Sequence, residues 1–304
     1  MKYSWSFLLL FFYISVTAQS DETPYLVSRL YDNGAYEITV FNNYYSKKAK
    51  NSASEDFSSR INFYTINAQL LYGLSKKWNI GLDLKIRSVT ASYGLVDPTF
   101  KALNFQNDGN YFRNNTSGYT RSGITAIGLR SKIVPIEQIP NLSVQQTFYI
   151  PLNNDQEGGN GTGFIDWSGY SFNTQIFYDH ELMPKVFLFT ELDLFIENIG
   201  QAMFQRASGY YQYSTPMTMI VSYYPNAIHT FFALVNAAPQ WGNMYDEQLD
   251  LRTPLYDTYN QYGLGYKYAI GRRWLFEVIL TRFLDKTPTS RIYTYNFGVR
   301  YFSE

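Results

Sequence analysis

The sequence predicts an antiparallel up-and-down β-barrel of about twelve strands, all-β and transmembrane, set in a Gram-negative outer membrane. Three observations predict it. Connections between strand-like segments alternate short and long, as they do when short periplasmic turns face longer external loops. Within the segments, apolar and polar residues alternate with period two. Composition also departs from that of a soluble domain. Aromatics reach 19%, with 29 Tyr and 23 Phe, while charged residues fall to 16% of 304 residues, against about 25% in typical soluble proteins. Mean hydropathy is only −0.27, which excludes a bundle of transmembrane helices. A barrel reconciles these facts, because only alternate residues of each strand meet lipid.

Residues 1–18 read as a secretory signal peptide. Lys2 supplies the positive end, Phe7 to Val16 the apolar stretch, and Val16-Thr17-Ala18 the small residues before a cut that leaves Gln19 first. The apolar stretch is too short for a membrane-spanning helix, which needs about 20 residues. Residues 19–33 are expected to form a periplasmic leader, with a plug as the alternative, and 34–304 the barrel. The chain has no cysteine, which excludes disulfides, thiol catalysis and Cys-ligated zinc. Formal net charge is zero, so no nucleic-acid partner is expected. The expected partners are outer-membrane lipid, the barrel-insertion machinery during biogenesis, and a small-molecule solute.

Strand by strand the alternation is direct. Tyr36, Ile38 and Val40 oppose Glu37 and Thr39. Tyr64, Ile66, Ala68, Leu70 and Tyr72 oppose Thr65, Asn67 and Gln69. The clearest strand is 78–87, where Trp78, Ile80, Leu82, Leu84 and Ile86 oppose Asn79, Gly81, Asp83, Lys85 and Arg87. Ile127, Leu129 and Ile133 oppose Gly128, Arg130 and Lys132. Leu188, Leu192, Leu194 and Ile196 oppose Glu191, Asp193 and Glu197. Tyr262, Leu264, Tyr266 and Tyr268 oppose Gly263, Gly265 and Lys267, and Trp274, Phe276, Val278 and Leu280 oppose Glu277 and Thr281. Segments 142–151, 218–224 and 228–237 are strands of uncertain register. The last strand places Tyr293, Tyr295, Phe297, Val299 and Tyr301 on one face. Its aromatic end, Tyr301-Phe302, resembles the C-terminal signal of outer-membrane barrels, with Ser303 and Glu304 in addition.

The tight turns are expected near 74–77, 134–136, 179–181, 224–226 and 270–272, on the periplasmic side. External loops are then 45–60, 88–120, 152–166, 198–215, 239–258 and 284–290. Trp78 and Trp274, beside inner turns, are expected in the inner interfacial girdle.

Three stretches resemble the phenol-degradation (MetA-pathway-like) outer-membrane transporter family. They are Gly123 to Arg130 (GITAIGLR), Phe148 to Leu152 (FYIPL) and Gly263 to Tyr268 (GLGYKY). The resemblance implies a barrel for uptake of small organic molecules and assigns no binding residue.

Chemistry in the lumen comes down to charge. Asp83, Lys85, Arg87, Arg130, Lys132, Glu191 and Asp193 are the candidate lumen and selectivity residues. Ions removed from water must be paired or hydrated. Two arrangements satisfy that demand: salt bridges that close the lumen, or water between separate acidic and basic ladders that select solutes. In the external loops, Tyr111, Phe112, Tyr210, Tyr211 and Trp241 are candidate ligand contacts, because aromatic faces beside amides suit ring-shaped ligands. His180 in an expected inner turn and His229 just after another lie at the wrong end for outer-leaflet hydrolysis. No catalytic residue, metal site or cofactor is expected. The function expected is passive passage of small polar or aromatic solutes. The alternative is a non-conducting structural or partner-docking barrel, with an outer-leaflet lipid hydrolase behind it.

Overall fold

The computed structural model describes residues 26–50, 57–93, 100–107, 109–113, 116–158, 163–199, 211–246, 251–284 and 290–303. Their strands are β1 Tyr36–Lys50, β2 Phe57–Ser75, β3 Trp78–Tyr93, β4 Gly109–Arg113, β5 Thr116–Ile133, β6 Leu142–Pro151 and β7 Tyr170–Met183. There follow β8 Val186–Ile199, β9 Tyr211–Ser214, β10 Met217–Tyr223, β11 His229–Asp246, β12 Leu251–Ile270, β13 Trp274–Leu284 and β14 Ser290–Phe302. Every pairing is antiparallel. β4 pairs only with β5, and β9 sits between the outer ends of β8 and β11. The remaining twelve strands form a closed ring, completed where β10 pairs β8 and β14 pairs β1. At that last seam Ser303 extends the ladder: its N–H donates to Tyr36 O at 2.9 Å, and Tyr36 N–H donates to Ser303 Oγ at 2.6 Å.

Burial is inverted relative to a water-soluble protein. Fully buried side chains are mostly polar, such as Asn62, Asn79, Thr147 and Ser143, whereas Leu264 is 68% exposed and Phe231, Val235, Leu280 and Leu129 are all about half exposed. A continuous apolar belt of this size is unstable in water and is satisfied by lipid, so the barrel spans the membrane. Trp78, Trp274 and Tyr72 are exposed at the inner ends of their strands, where an interfacial girdle belongs. The three uncertain strands resolve the same way. Ser143, Gln145 and Thr147 face in while Phe148 faces lipid, and Met217, Met219 and Val221 face out while Ser222 faces in. Phe231 and Val235 face out against Phe232 and Leu234. Leu264 lies at mid-height on this belt, so Leu264→Arg should destabilise the refolded barrel by about 2–4 kcal/mol, the depth-dependent cost of a lipid-facing arginine. Urea titration of folding into lipid bilayers checks this, with Lys267→Arg in the lumen as the tolerated comparison.

Two sequence expectations are corrected. First, several expected external loops are largely strand. β11 and β12 cover most of 239–258, pairing from His229↔Tyr268 to Asp246↔Leu251. A strand of 20 residues runs about 66 Å at 3.3 Å per residue, far beyond an apolar band about 25 Å tall. Above that band both faces meet water, so the polar alternation fades while the backbone ladder continues. Second, the turn between β7 and β8 lies at 184–185, with Lys185 at φ 69°, and not at 179–181. Asp179 points inward and His180 outward, stacked on Tyr178, so this polar triplet is strand.

The segment 26–33 does not behave as a free leader. Leu26 and Ser28 are buried. Ser28 N–H donates to Asp179 Oδ2 at 2.8 Å, and Lys132 Nζ donates to the carbonyls of Val27 and Arg29 at 2.5 and 2.9 Å. Tyr31 OH donates to Glu37, which also faces Arg300 at 3.5 Å. Gly73 allows the chain to pass: a Cβ there would lie 2.1 Å from Asp32 O. These bonds anchor residues 26–33 at the periplasmic mouth, and we propose that the segment acts there as a plug.

Candidate functional site in the barrel lumen

The candidate lumen residues sit at three heights. Lys132, nearest the periplasm, holds the plug as described above. At mid-height Asp83 and Arg130 pair directly, Nη2 to Oδ2 at 2.5 Å, and Tyr149 OH donates to the same Asp83 oxygen at 3.1 Å. Arg130 also reaches Gln69 Oε1 at 3.3 Å. Gln145 Nε2 donates to Gln175 Oε1, and Gln175 Nε2 to Glu191 Oε1, both at 2.7 Å. Asp193 hydrogen-bonds Glu191. One polar chain thus lines the wall from β2 to β8. Because Asp83 and Arg130 are both nearly buried, Asp83→Asn should cost about 3–5 kcal/mol, the penalty of stranding a buried charge. Denaturant midpoints of the refolded variant check it, and Asp83→Leu with Arg130→Met should recover much of the loss.

Nearest the outside, Lys85 and Arg87 meet a carboxylate that the alternation pattern did not reveal. The described parts of the connection between β6 and β7, residues 152–158 and 163–169, pack against the inner wall and bring Asp166 between them. Lys85 Nζ lies 2.8 Å from Asp166 Oδ2, and Arg87 Nη1 lies 3.0 Å from Oδ1. Arg87 also donates to Ile165 O and Thr65 Oγ1, each at 3.2 Å. Burial alone would raise the Asp166 carboxyl. The Arg87 and Lys85 charges overcome that and hold it down to about 2.

A β-bulge prepares the dock for this connection. Lys85 pairs Ala126 and Ile86 pairs Ile124, leaving Thr125 extra on β5. Its carbonyl, released from the ladder, accepts from Gln156 Nε2 at 2.8 Å and Leu152 N at 3.0 Å. The backbone N–H groups of Ile165 and Asp166 donate to Gln156 O at 2.8 and 3.2 Å, and Gln156 N–H donates to Ser168 Oγ at 3.0 Å. Aromatic contacts complete the anchorage. Phe164 meets Trp167 at 5.1 Å and Phe63 at 6.4 Å, and Arg87 lies over Phe63. Gly163 passes over the Tyr119 ring, where a Cβ would lie 2.1 Å from ring carbon.

Below this inserted connection lies a cavity of about 180 Å³. Lys85, Asn67, Asn173, Trp167, Phe195 and Glu197 line it with Asp166 and Tyr149. Trp167 hydrogen-bonds Glu197. The cavity carries both charges, amides and ring faces, and it lies on the path through the barrel.

The external-loop candidates fare differently. Trp241 stacks on Tyr213 at 5.5 Å and 17°, so its ring packs against a neighbouring strand. Tyr111 and Phe112 fall on β4 and Tyr211 on β9, with side chains outside the description, and Tyr210 lies outside the described residues. Both histidines are on the lipid side of the inner rim, His229 Nδ1 being 2.7 Å from Tyr266 OH. Among the described residues no group of three or more His, Asp or Glu side chains converges in a metal-binding arrangement. Sequence reasoning missed Asp166, Trp167, Asn173 and Tyr149 as a cluster. The available signal was one Asp-Trp pair placed between glycine-rich stretches of a single connection, with no periodicity around it.

No protein-family model and no curated protein matches the sequence. Solved structures match its backbone. A crystal structure of an outer-membrane channel from Pseudomonas putida F1 aligns with a TM-score of 0.55 at 12% identity, covering 91% of this chain and 98% of that one. The β domain of the Bordetella autotransporter BrkA aligns with a TM-score of 0.51 at 12% identity, over 89% of this chain and 99% of that one. At these identities the likeness is one of architecture, and with the lipid-facing belt it identifies the chain as an outer-membrane β-barrel.

Proposed function

We propose that the protein is a passive outer-membrane channel for small polar or aromatic solutes, narrowed by the inserted 152–169 connection. One observation carries the reading: the cavity of about 180 Å³ lies within the barrel, beside Lys85 and Asp166. Salt bridges at Asp83–Arg130 and Lys85–Asp166 leave no long charged ladder, so the constriction favours selection over general diffusion. The alternating wall and a fold shared with an outer-membrane channel support the same reading, although fold alone assigns no solute. No chemical step is ascribed to the chain, because its two histidines are remote from this cavity and no cofactor is invoked.

The plug at 26–33 favours a second reading, a non-conducting barrel that docks a partner in the envelope. Conductance of the refolded protein in a planar lipid bilayer separates the two. Small discrete steps are the expected result. A folded barrel that never conducts, with or without its plug, would establish the second reading.

A further inference from the structure

Building on the channel reading, we infer that the lumen cavity takes one neutral, hydroxyl-rich six-membered ring, a solute of monosaccharide size. Size sets the first limit. A dry cavity of about 150 Å³ accommodates benzene, so about 180 Å³ holds one ring with small substituents and excludes a disaccharide.

Charge sets the second limit. Lys85 and Arg87 bring two positive charges to this level, and Asp166 and Glu197 bring two carboxyls. Asp166 already bridges both cations at 2.8 and 3.0 Å. An anionic solute would give up hydration here and would have to compete with Asp166 for both cations.

Hydrogen-bonding capacity sets the third. Lys85 carries three N–H donors, and Asp166 takes one of them. Glu197 keeps acceptor capacity beyond its bond from Trp167. Asn173 and Asn67 add two amides to the lining. Donors and acceptors therefore stand side by side, the demand that a vicinal diol meets, since each hydroxyl donates once and accepts twice. An unsubstituted arene would cover these groups and satisfy none of them, which costs binding for each polar group left without a partner. The flat faces of Trp167 and Phe195 in the same lining suit the apolar C–H face of a pyranose. The combination of ring faces, paired charges and amides in one single-ring cavity points to a sugar-like ring and away from an aromatic hydrocarbon or an organic anion.

The test uses the full refolded protein in detergent, with titration calorimetry against glucose, phenol and benzoate, and in parallel the bilayer conductance described above. Glucose should bind while phenol and benzoate do not. Trp167→Ala and Asn173→Leu should each weaken glucose binding by about fivefold or more, the effect of one stacked ring or one hydrogen bond, and Trp167→Phe should restore part of it. Because Trp167 also anchors the inserted connection, Asn173→Leu separates ligand contact from loop packing. Glucose binding without conductance supports the cavity assignment while defeating the channel reading. Conductance without glucose binding, or binding of phenol or benzoate in its place, overturns the assignment and leaves the channel standing.

Discussion

Asp166→Asn should convert a narrow, weakly selective pore into a wider one that prefers anions. In the native protein one carboxylate satisfies two cations, with one oxygen to Lys85 and the other to Arg87. Asparagine keeps the shape and removes the charge. Lys85 and Arg87 then face each other's repulsion inside a confined lumen, and the 152–169 connection loses its electrostatic tie to β3. What remains are the Gln156 bonds to the Thr125 bulge, to Ser168 and to the backbone of 165–166, the Arg87 bond to Ile165 O and the aromatic contacts of Phe164. Single-channel conductance should rise several-fold, and the reversal potential in a salt gradient should move toward that of chloride. The same group gives a pH expectation. The Asp166 carboxyl is held down to about 2, below its ordinary value. Its stabilising contribution is therefore fully present above the ordinary carboxylate range and is lost only as pH falls through about 2. Asp166 therefore stays ionised from neutrality to about pH 4, so its own protonation does not imitate the substitution over that range. Asp155→Asn is the comparison. Asp155 pairs with Arg121 at 3.4 Å on the exposed rim, and a solvated pair of that kind contributes little. An unchanged current in Asp166→Asn would show that the connection does not form the constriction.

The wall of this barrel was legible from the sequence, and the contents of its lumen were legible only in part. Period-two alternation has a direct cause, since one face of each strand meets lipid. It therefore placed Asp83, Lys85, Arg87, Arg130, Lys132, Glu191 and Asp193 on the inner face without any knowledge of neighbours. Partner choice is another matter. Arg130 pairs with Asp83 because register sets β3 beside β5 with Leu82 opposite Leu129, and register depends on turn lengths and on the single bulge at Thr125. The 152–169 connection has no period at all, so nothing in it announced that Asp166 would reach Lys85. The outer hairpins failed for the opposite reason. With water on both sides, residues such as those of 239–258 carry no face-specific demand, and a ladder of backbone bonds leaves no trace in hydropathy. The triplet Asp179-His180-Glu181 misled because polarity alone resembles a turn. Asp179 is polar because it receives the Ser28 N–H, a contact set by the far end of the chain.

That contact motivates the second large effect. Removing residues 20–31 should raise conductance even with Asp166 in place. Its described part, 26–31, is held at the periplasmic mouth, where Lys132 binds two of its carbonyls and Asp179 one of its amides. These are three charge-assisted hydrogen bonds, each contributing about 1.5–3 kcal/mol at most, against the entropy of ordering the chain. Such a plug opens on its own from time to time, so the native channel should flicker, and the shortened one should dwell open. The wall itself should survive the deletion. Asp32 O, Ala35 and Gly34 retain their bonds to one another and to Gly73, and the β1–β14 seam keeps its register from Glu37↔Phe302 to Ala49↔Ser290. Lys132→Met gives a milder version, because it deletes both carbonyl bonds without shortening the chain, and it should produce more frequent but still brief openings. If the plug and the inserted connection act in series, either one alone limits the current, and combining the deletion with Asp166→Asn should raise conductance more than the two separate increments together. Simple addition would mean two parallel paths through the lumen, a result at odds with two obstructions in series.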